Sequence, residues 1–299
     1  MRKAHSIGMI IVLLMGIIAA LYYYLSRPYS SSEIRISTNP WVGFTPFIYA
    51  QEKGWLEETP FRFIWLVDLS DNARLHERGF TQGFTATQYE WLQFADRDRI
   101  KPVFLIDRSD GADAILSNRP LETLRGSPLP VKVYLERGSL NEDFFDAFVA
   151  EYSLQGVPFR QIDFSQKNIM VMGMEQEPVV IISYAPYVSE LLKKGYRTIA
   201  STRTMDSFRV IDALFVDEEV LEGKEKEFAH LKKLFDLAAQ RLKENPREFY
   251  ETIQGYLEGQ SYGEFIASTE QIRWLNGNDT EEVSAHLQEQ QVDTTRLLR

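Results

Sequence analysis

The sequence lacks cysteine altogether, and this absence removes several kinds of site at once. Disulfide bonds, thiolate catalysis and Cys-ligated metals are excluded, and so is the lipid-modified cysteine that anchors a bacterial lipoprotein. Only four histidines occur, at positions 5, 76, 230 and 286, and they show no spacing of the kind that pairs metal ligands. We therefore predict no metal and no cofactor, and we place His76 and His230 at the surface.

Positive charge is also in short supply. The chain carries 33 Lys and Arg against 43 Asp and Glu, which gives a formal net charge of −10. This balance argues against nucleic acid or an anionic membrane surface as the principal partner, and an acidic surface is most simply explained by solubility. A Gly-rich phosphate loop and a Gly-x-Ser-x-Gly nucleophile turn are both missing, and the Ser, His and Asp residues show no order that indicates a catalytic triad.

One long apolar run is present, from Ile7 to Leu25, and it carries no formal charge. About 20 apolar residues are enough to span the core of a bilayer. Arg2 and Lys3 precede the run and favour a cytoplasmic N-terminus, with the rest of the chain exported. The run ends in a Tyr-rich segment, residues 21–25, where a cleaved signal peptide has small residues.

We therefore predict an uncleaved signal anchor, and cleavage stays open as the alternative. An exported domain that folds without disulfides fits a bacterial periplasm or outer face. The predicted location is a single-pass inner-membrane protein whose folded domain lies in the periplasm or at the outer face. Residues 26–32 are predicted to be a short linker between the membrane and that domain.

Beyond the linker, strand-like and helix-like segments alternate as in an α/β domain. Predicted strands cover Ile34 and Ile36, then residues 61–67, 102–106, 131–135 and 179–182. After the first strand, Thr45 is a candidate N-cap, Pro46 suits the first helical position, and Gly54 falls just past the helix end. The C-terminal third has helical spacing from Phe228 onward, with a break at Asn245 and Pro246.

Two further helices are predicted to start directly after strands. Thr87 and Glu90 have the spacing of a capping box, and so do Ser139 and Glu142. The free N–H groups at a helix start suit polar or anionic ligand groups. Ordinary helix capping accounts for the same residues, so these starts alone do not assign a ligand.

These segments, taken in order, resemble the substrate-binding proteins of nitrate/sulfonate/taurine-type ABC importers, including the thiamine-pyrimidine-synthase-like group. The similarity starts with the Trp-x-Gly-x-x-Pro loop at 41–46 and the Ala-x-x-x-Gly helix end at 50–54. Further matching blocks lie at residues 83–91, 109–115, 121–126, 184–187 and 211–216. One departure lies at residues 175–180, where the family's Gly-x-x-Asp-Ala segment is missing and the second lobe is expected to be remodelled.

The resemblance implies a two-lobed α/β domain of the periplasmic-binding-protein type 2 fold, with a hinge of two crossing strands and one N-terminal transmembrane helix ahead of it. On this mapping, residues 33–117 plus 211–299 form lobe one and residues 118–210 form lobe two. Residues 1–32 hold the cytoplasmic N-terminus, the anchor helix and the linker. The crossings are expected near residues 117–120 and 209–211, with the ligand held in the cleft between the lobes.

Eight residues are candidates for ligand contact. Trp41 and Phe44 offer aromatic faces that could stack on a flat or cationic ligand, and Gly43 allows close approach of the main chain. Packing at a lobe edge explains the two aromatic residues equally simply. The other candidates are polar groups placed in the expected cleft: Thr87, Ser109, Asp110, Ser139 and Tyr184.

Three functions follow from the resemblance and stay open at this point. The leading one is a membrane-tethered solute-binding protein that captures a small polar molecule and delivers it to an ABC permease. The second is a ligand-sensing receptor that passes a signal to a membrane signalling protein. The third is a pyrimidine-synthase-like enzyme, which the missing Cys-rich motif disfavours, so the protein is predicted not to be an enzyme.

Overall fold

A computed structural model of the protein describes residues 33–275 and 281–298. The described residues from Ile34 onward form one compact unit. The predicted anchor helix at residues 7–25 and the linker lie outside the described residues. Among the helices of residues 33–275 and 281–298, none is long and apolar enough to cross a membrane.

The strands alternate with helices along most of the chain. The strands are β1 (Ile34–Thr38), β2 (Phe61–Trp65), β3 (Gly83–Thr87), β4 (Ile100–Ser109), β5 (Asp113–Ser117), β6 (Val131–Leu135), β7 (Phe159–Asp163), β8 (Val179–Tyr184), β9 (Arg197–Ser201), β10 (Ile211–Asp217) and β11 (Ile272–Trp274). The helices are α1 (Thr45–Glu52), α2 (Leu69–Glu77), α3 (Gln88–Leu92), α4 (Leu121–Arg125), α5 (Leu140–Glu151), α6 (Gln166–Val171), α7 (Val188–Lys193), α8 (Glu218–Leu221), α9 (Glu225–Glu244), α10 (Pro246–Ile253), α11 (Tyr262–Thr269) and α12 (Glu281–Glu289).

The strands form two mixed sheets. The six-stranded sheet has the order β11-β4-β10-β3-β1-β2, and the five-stranded sheet has the order β7-β6-β8-β5-β9. Strands β2, β1 and β3 are parallel, whereas β10 runs antiparallel to both β3 and β4. We refer to the six-stranded sheet and its connecting helices as the first lobe, and to the five-stranded sheet and its helices as the second lobe. This two-sheet α/β architecture agrees with the predicted fold class.

The first passage between the sheets lies earlier in the chain than predicted. Strand β5, which the sequence analysis placed in lobe one, pairs with β8 and β9 in the second sheet. The chain therefore changes sheets at residues 110–112, and the expected crossing at 117–120 is wrong. Ser109 ends β4 and Asp113 begins β5, so only three residues separate the two sheets. The return passage lies between β9 and β10, at residues 202–210.

Buried strands and amphipathic helices account for the core. Strand β8 is buried at every position, as its continuous apolar run predicts for a strand covered on both faces. Helix α9 buries residues at 3- and 4-residue spacing, including Phe228, Leu231, Phe235 and Leu242. It ends where the sequence predicts, because Asn245 caps the following helix by accepting the main-chain N–H of Glu248.

Aromatic packing joins α1 and α9 to the first sheet. The ring of Phe47 lies 4.8 Å from the ring of Phe235 and 6.2 Å from that of Phe104, measured between centroids. Aromatic pairs at these separations add packing energy beyond the area that they bury. The same buried cluster continues into the second lobe through Val133 and Ile182.

Local capping follows the sequence prediction at one helix and departs from it at two. Thr87 and Glu90 form the predicted capping box at α3. Ser139 is the N-cap of α5, but the Glu142 carboxylate accepts the N–H of Gly138 instead of that of Ser139, so no reciprocal box forms. Thr45 does not cap α1 but starts it, because a 3-10 turn at Val42–Phe44 precedes the helix.

One histidine prediction is wrong. His76 is buried, with Nδ1 3.1 Å from the carbonyl oxygen of Thr81 and Nε2 3.2 Å from a carboxylate oxygen of Asp217. Its ring also packs against Phe84 at a centroid distance of 4.8 Å. A ring with a partner at each nitrogen fills a core position, which the sequence spacing could not indicate. His230 is exposed, as predicted.

Candidate functional site

The first lobe contributes a tryptophan loop wrapped around a buried aspartate. Trp41 follows β1, is 3% exposed, and donates its indole N–H to Oδ2 of Asp107 over 3.2 Å. Gly43 lies so close to Asp107 that a Cβ atom added to it would stand 1.7 Å from the same oxygen. A side chain at position 43 would therefore collide with the carboxylate, which explains why the loop needs glycine here.

The second lobe contributes a tyrosine that meets this loop. Tyr184 ends β8 and is fully buried. Its ring packs edge-on against the ring of Trp41 with 5.9 Å between centroids, and its hydroxyl donates to Oε2 of Glu136 over 3.2 Å. An aromatic contact between the two lobes therefore lies at the centre of the candidate site. Each ring also bonds a carboxyl group, Trp41 that of Asp107 and Tyr184 that of Glu136.

Three buried aspartates lie at this end of the first sheet and at the passage into the second. Asp212 stands opposite Asp107 in the β4–β10 pair, and the two carboxyl groups share a hydrogen bond. Asp113 begins β5 and is 2% exposed. One oxygen of each aspartate, and both amide atoms of Asn39, lack a hydrogen-bond partner in the part of the chain that the structure describes.

Burial controls the proton affinity of these aspartates. Burial raises the pKa of Asp107 to about 8, although the hydrogen bond from Trp41 acts to lower it. Burial raises the pKa of Asp113 to about 7, and here the hydrogen bond with Ser109 acts to lower it. The pKa of Asp212 is raised well above its usual value, first by burial and then by the charge of Asp107. Within residues 33–275 and 281–298, no ion pair joins any of the three to a lysine or arginine.

Thr87 and Ser139 lie on opposite lobes and are linked through Glu90. Thr87 stands opposite Asp212 in the β3–β10 pair and caps α3. One oxygen of Glu90 accepts from the main-chain N–H and the hydroxyl of Thr87, and the other accepts the N–H of Leu140 over 2.6 Å. Leu140 directly follows Ser139, the N-cap of α5. Both hydroxyl residues therefore lie at the contact between the lobes, where they cap helices.

The remaining candidates lie at the passage between sheets or in the core. The Ser109 hydroxyl is 2.8 Å from that of Thr202 and accepts the N–H of Asp113 over 3.2 Å. Asp110 accepts from Arg273 over 3.0 Å at the same passage. Phe44 is fully buried in the large apolar cluster. The structure thus brings Trp41, Gly43 and Tyr184 together near Asp107 and places Ser109 beside Asp113. Asp110 pairs with Arg273, and Phe44 packs in the core.

Sequence reasoning missed Asp107, Asp212 and Glu136. Asp107 directly follows the apolar run Val103–Ile106 within β4, and Asp212 directly precedes the apolar run Ala213–Val216 within β10. A charged residue inside such a strand is a usable sign of a special environment, because charged residues are rarely fully buried without a partner. Glu136 follows β6 directly and carries no comparable sign. The described residues contain no group of three or more His, Asp or Glu arranged to hold a metal ion.

Solved structures resemble this arrangement over most of its length. The aliphatic sulphonate binding protein SsuA of Escherichia coli superimposes with a TM-score of 0.67 at 14% identity, covering 87% of this chain and 85% of that one. The nitrate-binding protein NrtA of Synechocystis PCC 6803 gives 0.61 at 13%, covering 85% and 75%. The ligand-binding component of an ABC-type import system from Staphylococcus aureus, with zinc bound, gives 0.65 at 11%, covering 87% and 92%.

The fold is that of the periplasmic binding proteins. The resemblance read from the sequence is thereby confirmed for the architecture, since these structures are a sulphonate-binding protein, a nitrate-binding protein and the ligand-binding component of an import system. At sequence identities of 11–14%, a shared fold does not indicate that this protein binds the same ligands as these proteins. No family model matches the sequence, and no curated protein matches it.

Proposed function

We propose that the protein is an exported solute-binding protein that captures a small molecule between its lobes and delivers it to an ABC permease. The observation that carries this proposal is the meeting of Trp41 and Tyr184, from different lobes, over the buried Asp107. Ligand sites of this fold class lie where the carboxyl ends of strands face a cleft, and both aromatic residues follow or end such strands.

The chemistry of the site favours one of the two ligand classes that the sequence left open. Unpaired carboxyl oxygens beside aromatic edges suit an amine or a protonated heterocycle, which can donate hydrogen bonds and stack on Trp41. A buried carboxyl group that lacks a cationic partner is stabilised when a cation arrives. The proposed ligand is therefore a small polar molecule with a basic nitrogen.

The site also bears on the alternatives. The proposal includes an uncleaved anchor at residues 7–25, which would tether the domain to the membrane beside its permease. A sensing receptor would use the same ligand site and differ only in its membrane partner. The structures that resemble this chain are binding proteins, which supports a non-enzymatic function. In the proposed lobes, the first passage lies at residues 110–112, so residues 113–117 join the second lobe, while lobe one resumes at residue 211 as predicted.

The proposal is tested by native mass spectrometry on the full-length chain, purified without refolding, followed by a thermal-shift screen. A ligand present at about 100 times its Kd should stabilise the folded state by about 2.7 kcal/mol. We expect a co-purified small molecule, or a rise in melting temperature with amines and basic heterocycles. A chain that carries no ligand and responds to no compound in a broad metabolite panel would overturn the proposal.

A matched pair of variants localises the site. Trp41→Phe keeps an aromatic ring and removes the N–H that orients the Asp107 carboxyl group, so we expect the ligand's Kd to rise about tenfold, as loss of one buried hydrogen bond predicts. Trp65→Phe is the control, since Trp65 donates its N–H to Gln51 on another face of the first lobe. Calorimetric titration of both variants should show the weakening only in the first. Equal affinities would place the ligand elsewhere.

A further inference from the structure

We propose that the two lobes are latched closed by the protein's own carboxyl groups, each of which bonds the start of a helix in the opposite lobe. Glu136 of the second lobe accepts the N–H of Ser70 over 2.7 Å. In the other direction, Asp68 of the first lobe accepts the N–H of Gln166 over 3.0 Å, and Glu90 accepts that of Leu140 over 2.6 Å. The bonds thus run both ways across the contact.

The latch uses main-chain groups that no helix can satisfy by itself. The first four N–H groups of a helix lack partners within the helix. Ser70 is the second residue of the nine-residue α2, and Leu140 is the first residue of the twelve-residue α5. The carboxyl groups that fill these positions are buried, with Glu136 3% exposed and Glu90 1% exposed. Hydrogen bonds strengthen when water is excluded from their surroundings.

Two further bonds join the lobes beside α2. The guanidinium of Arg74 donates to the carbonyl oxygen of Arg137 over 2.9 Å. The hydroxyl of Tyr187 donates to the carbonyl oxygen of Val67 over 3.2 Å. Because all these contacts are direct, closure does not require a ligand to bridge the lobes. The latch goes beyond the proposed function and holds whether or not the site takes a ligand.

The latch has a consequence for specificity. An oxyanion that sought the start of α2 or α5 would have to displace Glu136 or Glu90, because each N–H already has a carboxyl partner. We therefore expect nitrate and methanesulfonate, at millimolar concentration, to leave the melting temperature of the wild-type chain unchanged. A rise that depends on anion concentration would contradict this consequence.

The titratable groups around the latch give it a pH dependence. Burial, and then the charge of Asp68, raise the pKa of Glu136 to about 8, while its bond from Ser70 acts against the shift. Glu90 also faces Glu136, as do Tyr184, whose hydroxyl donates to it, and Tyr187. Asp71, Arg74 and Asp163 face Asp68. Between about pH 4.5 and 8, the closed form holds a proton on Glu136 that an open form would release. Rising pH in this window therefore loosens the latch.

The absence of native cysteine makes the lobe separation directly measurable. Spin labels at Arg78→Cys and Asp146→Cys, two exposed positions on different lobes, report their distance in the full-length chain by pulsed electron resonance. With Asp68→Ala and Glu136→Ala together, we expect a population whose distance is longer by several ångströms. The control is Glu142→Ala, whose carboxylate bonds Gly138 within one lobe. A distance distribution equal to wild type in the double variant would overturn the latch.

A second variant keeps the test decisive if the double variant fails to fold. Glu136→Gln retains an acceptor for Ser70 and cannot ionise, so it should stay closed from pH 5 to 9. The wild-type distances should lengthen over the same range. If the two chains respond alike to pH, Glu136 is not the titrating group and the latch is wrong. No ligand is added in either experiment, so failure of the latch and failure of the proposed ligand site are distinguishable.

Discussion

Replacing Gly43 with alanine is expected to destabilise the folded chain by at least about 3 kcal/mol, at the upper end of the range for overpacked cores. The new Cβ would stand 1.7 Å from Oδ2 of Asp107, 2.7 Å from its Cγ and 2.8 Å from Nε1 of Trp41. Both neighbours are buried, so neither can move away without breaking the bond between them. Urea unfolding followed by circular dichroism measures the loss.

Two comparisons show whether the collision is the cause. Gly263→Ala in α11 meets no atom within 4 Å, so its stability should stay within about 1 kcal/mol of wild type. Adding Asp107→Ala to Gly43→Ala removes the two nearest colliding atoms and frees the Trp41 indole from its acceptor. The double variant should therefore recover most of the loss, which a double-mutant cycle detects as a coupling energy. If Gly43→Ala unfolds at the wild-type urea concentration, the loop does not enclose Asp107 as described.

Local sequence patterns predicted the elements well because those patterns act over a few residues. The strand at residues 131–135 has the predicted bounds, and α9 buries the predicted face. Sheet membership depends instead on partners far along the chain. Nothing near β5 indicates that it pairs with residues 180–184, and this long-range pairing is why the first passage was predicted too late.

The candidate site was predictable in part for the same reason. The Trp-x-Gly loop and Tyr184 were found because their motifs are local, and the structure brings the two rings together. The carboxyl groups behind them were not found, since their meaning arises only when the lobes meet. Glu136 resembles any charged residue after a strand until Ser70 and Tyr184 approach it from two elements.

The same carboxyl groups predict that the folded state is most stable on the acidic side of neutrality. Burial raises the pKa of Asp107 and Glu136 to about 8 and that of Asp113 to about 7. In the unfolded chain these groups ionise near pH 4. Between those values the native state binds protons that the unfolded state lacks, so the free energy of unfolding falls as pH rises.

The expected fall is large, and few other groups oppose it. Each carboxyl that stays protonated in the native state contributes about 1.4 kcal/mol per pH unit. His286 acts in the opposite direction, because burial lowers its pKa and so favours the neutral form in the native state. Glu264 and Asp293, whose pKa values are lowered to about 2, affect stability only below about pH 4.5. One proton retained by the native state across this window contributes about 3 kcal/mol, so with several such groups we expect a loss of at least that size between pH 5.5 and 8.

Asp212→Asn tests which carboxyl groups cause this slope. The variant removes one member of the hydrogen-bonded Asp107 and Asp212 pair, so the native state should bind about one proton fewer between pH 5.5 and 8. The slope should flatten by up to about 1.4 kcal/mol per pH unit, and the variant should be more stable than wild type at pH 8. Asp293→Asn is the control, because its group titrates below this window and the slope should stay unchanged. A wild-type chain whose stability is constant from pH 5.5 to 8 would mean that these aspartates are ionised in the native state, and that a cation or water must then lie among them.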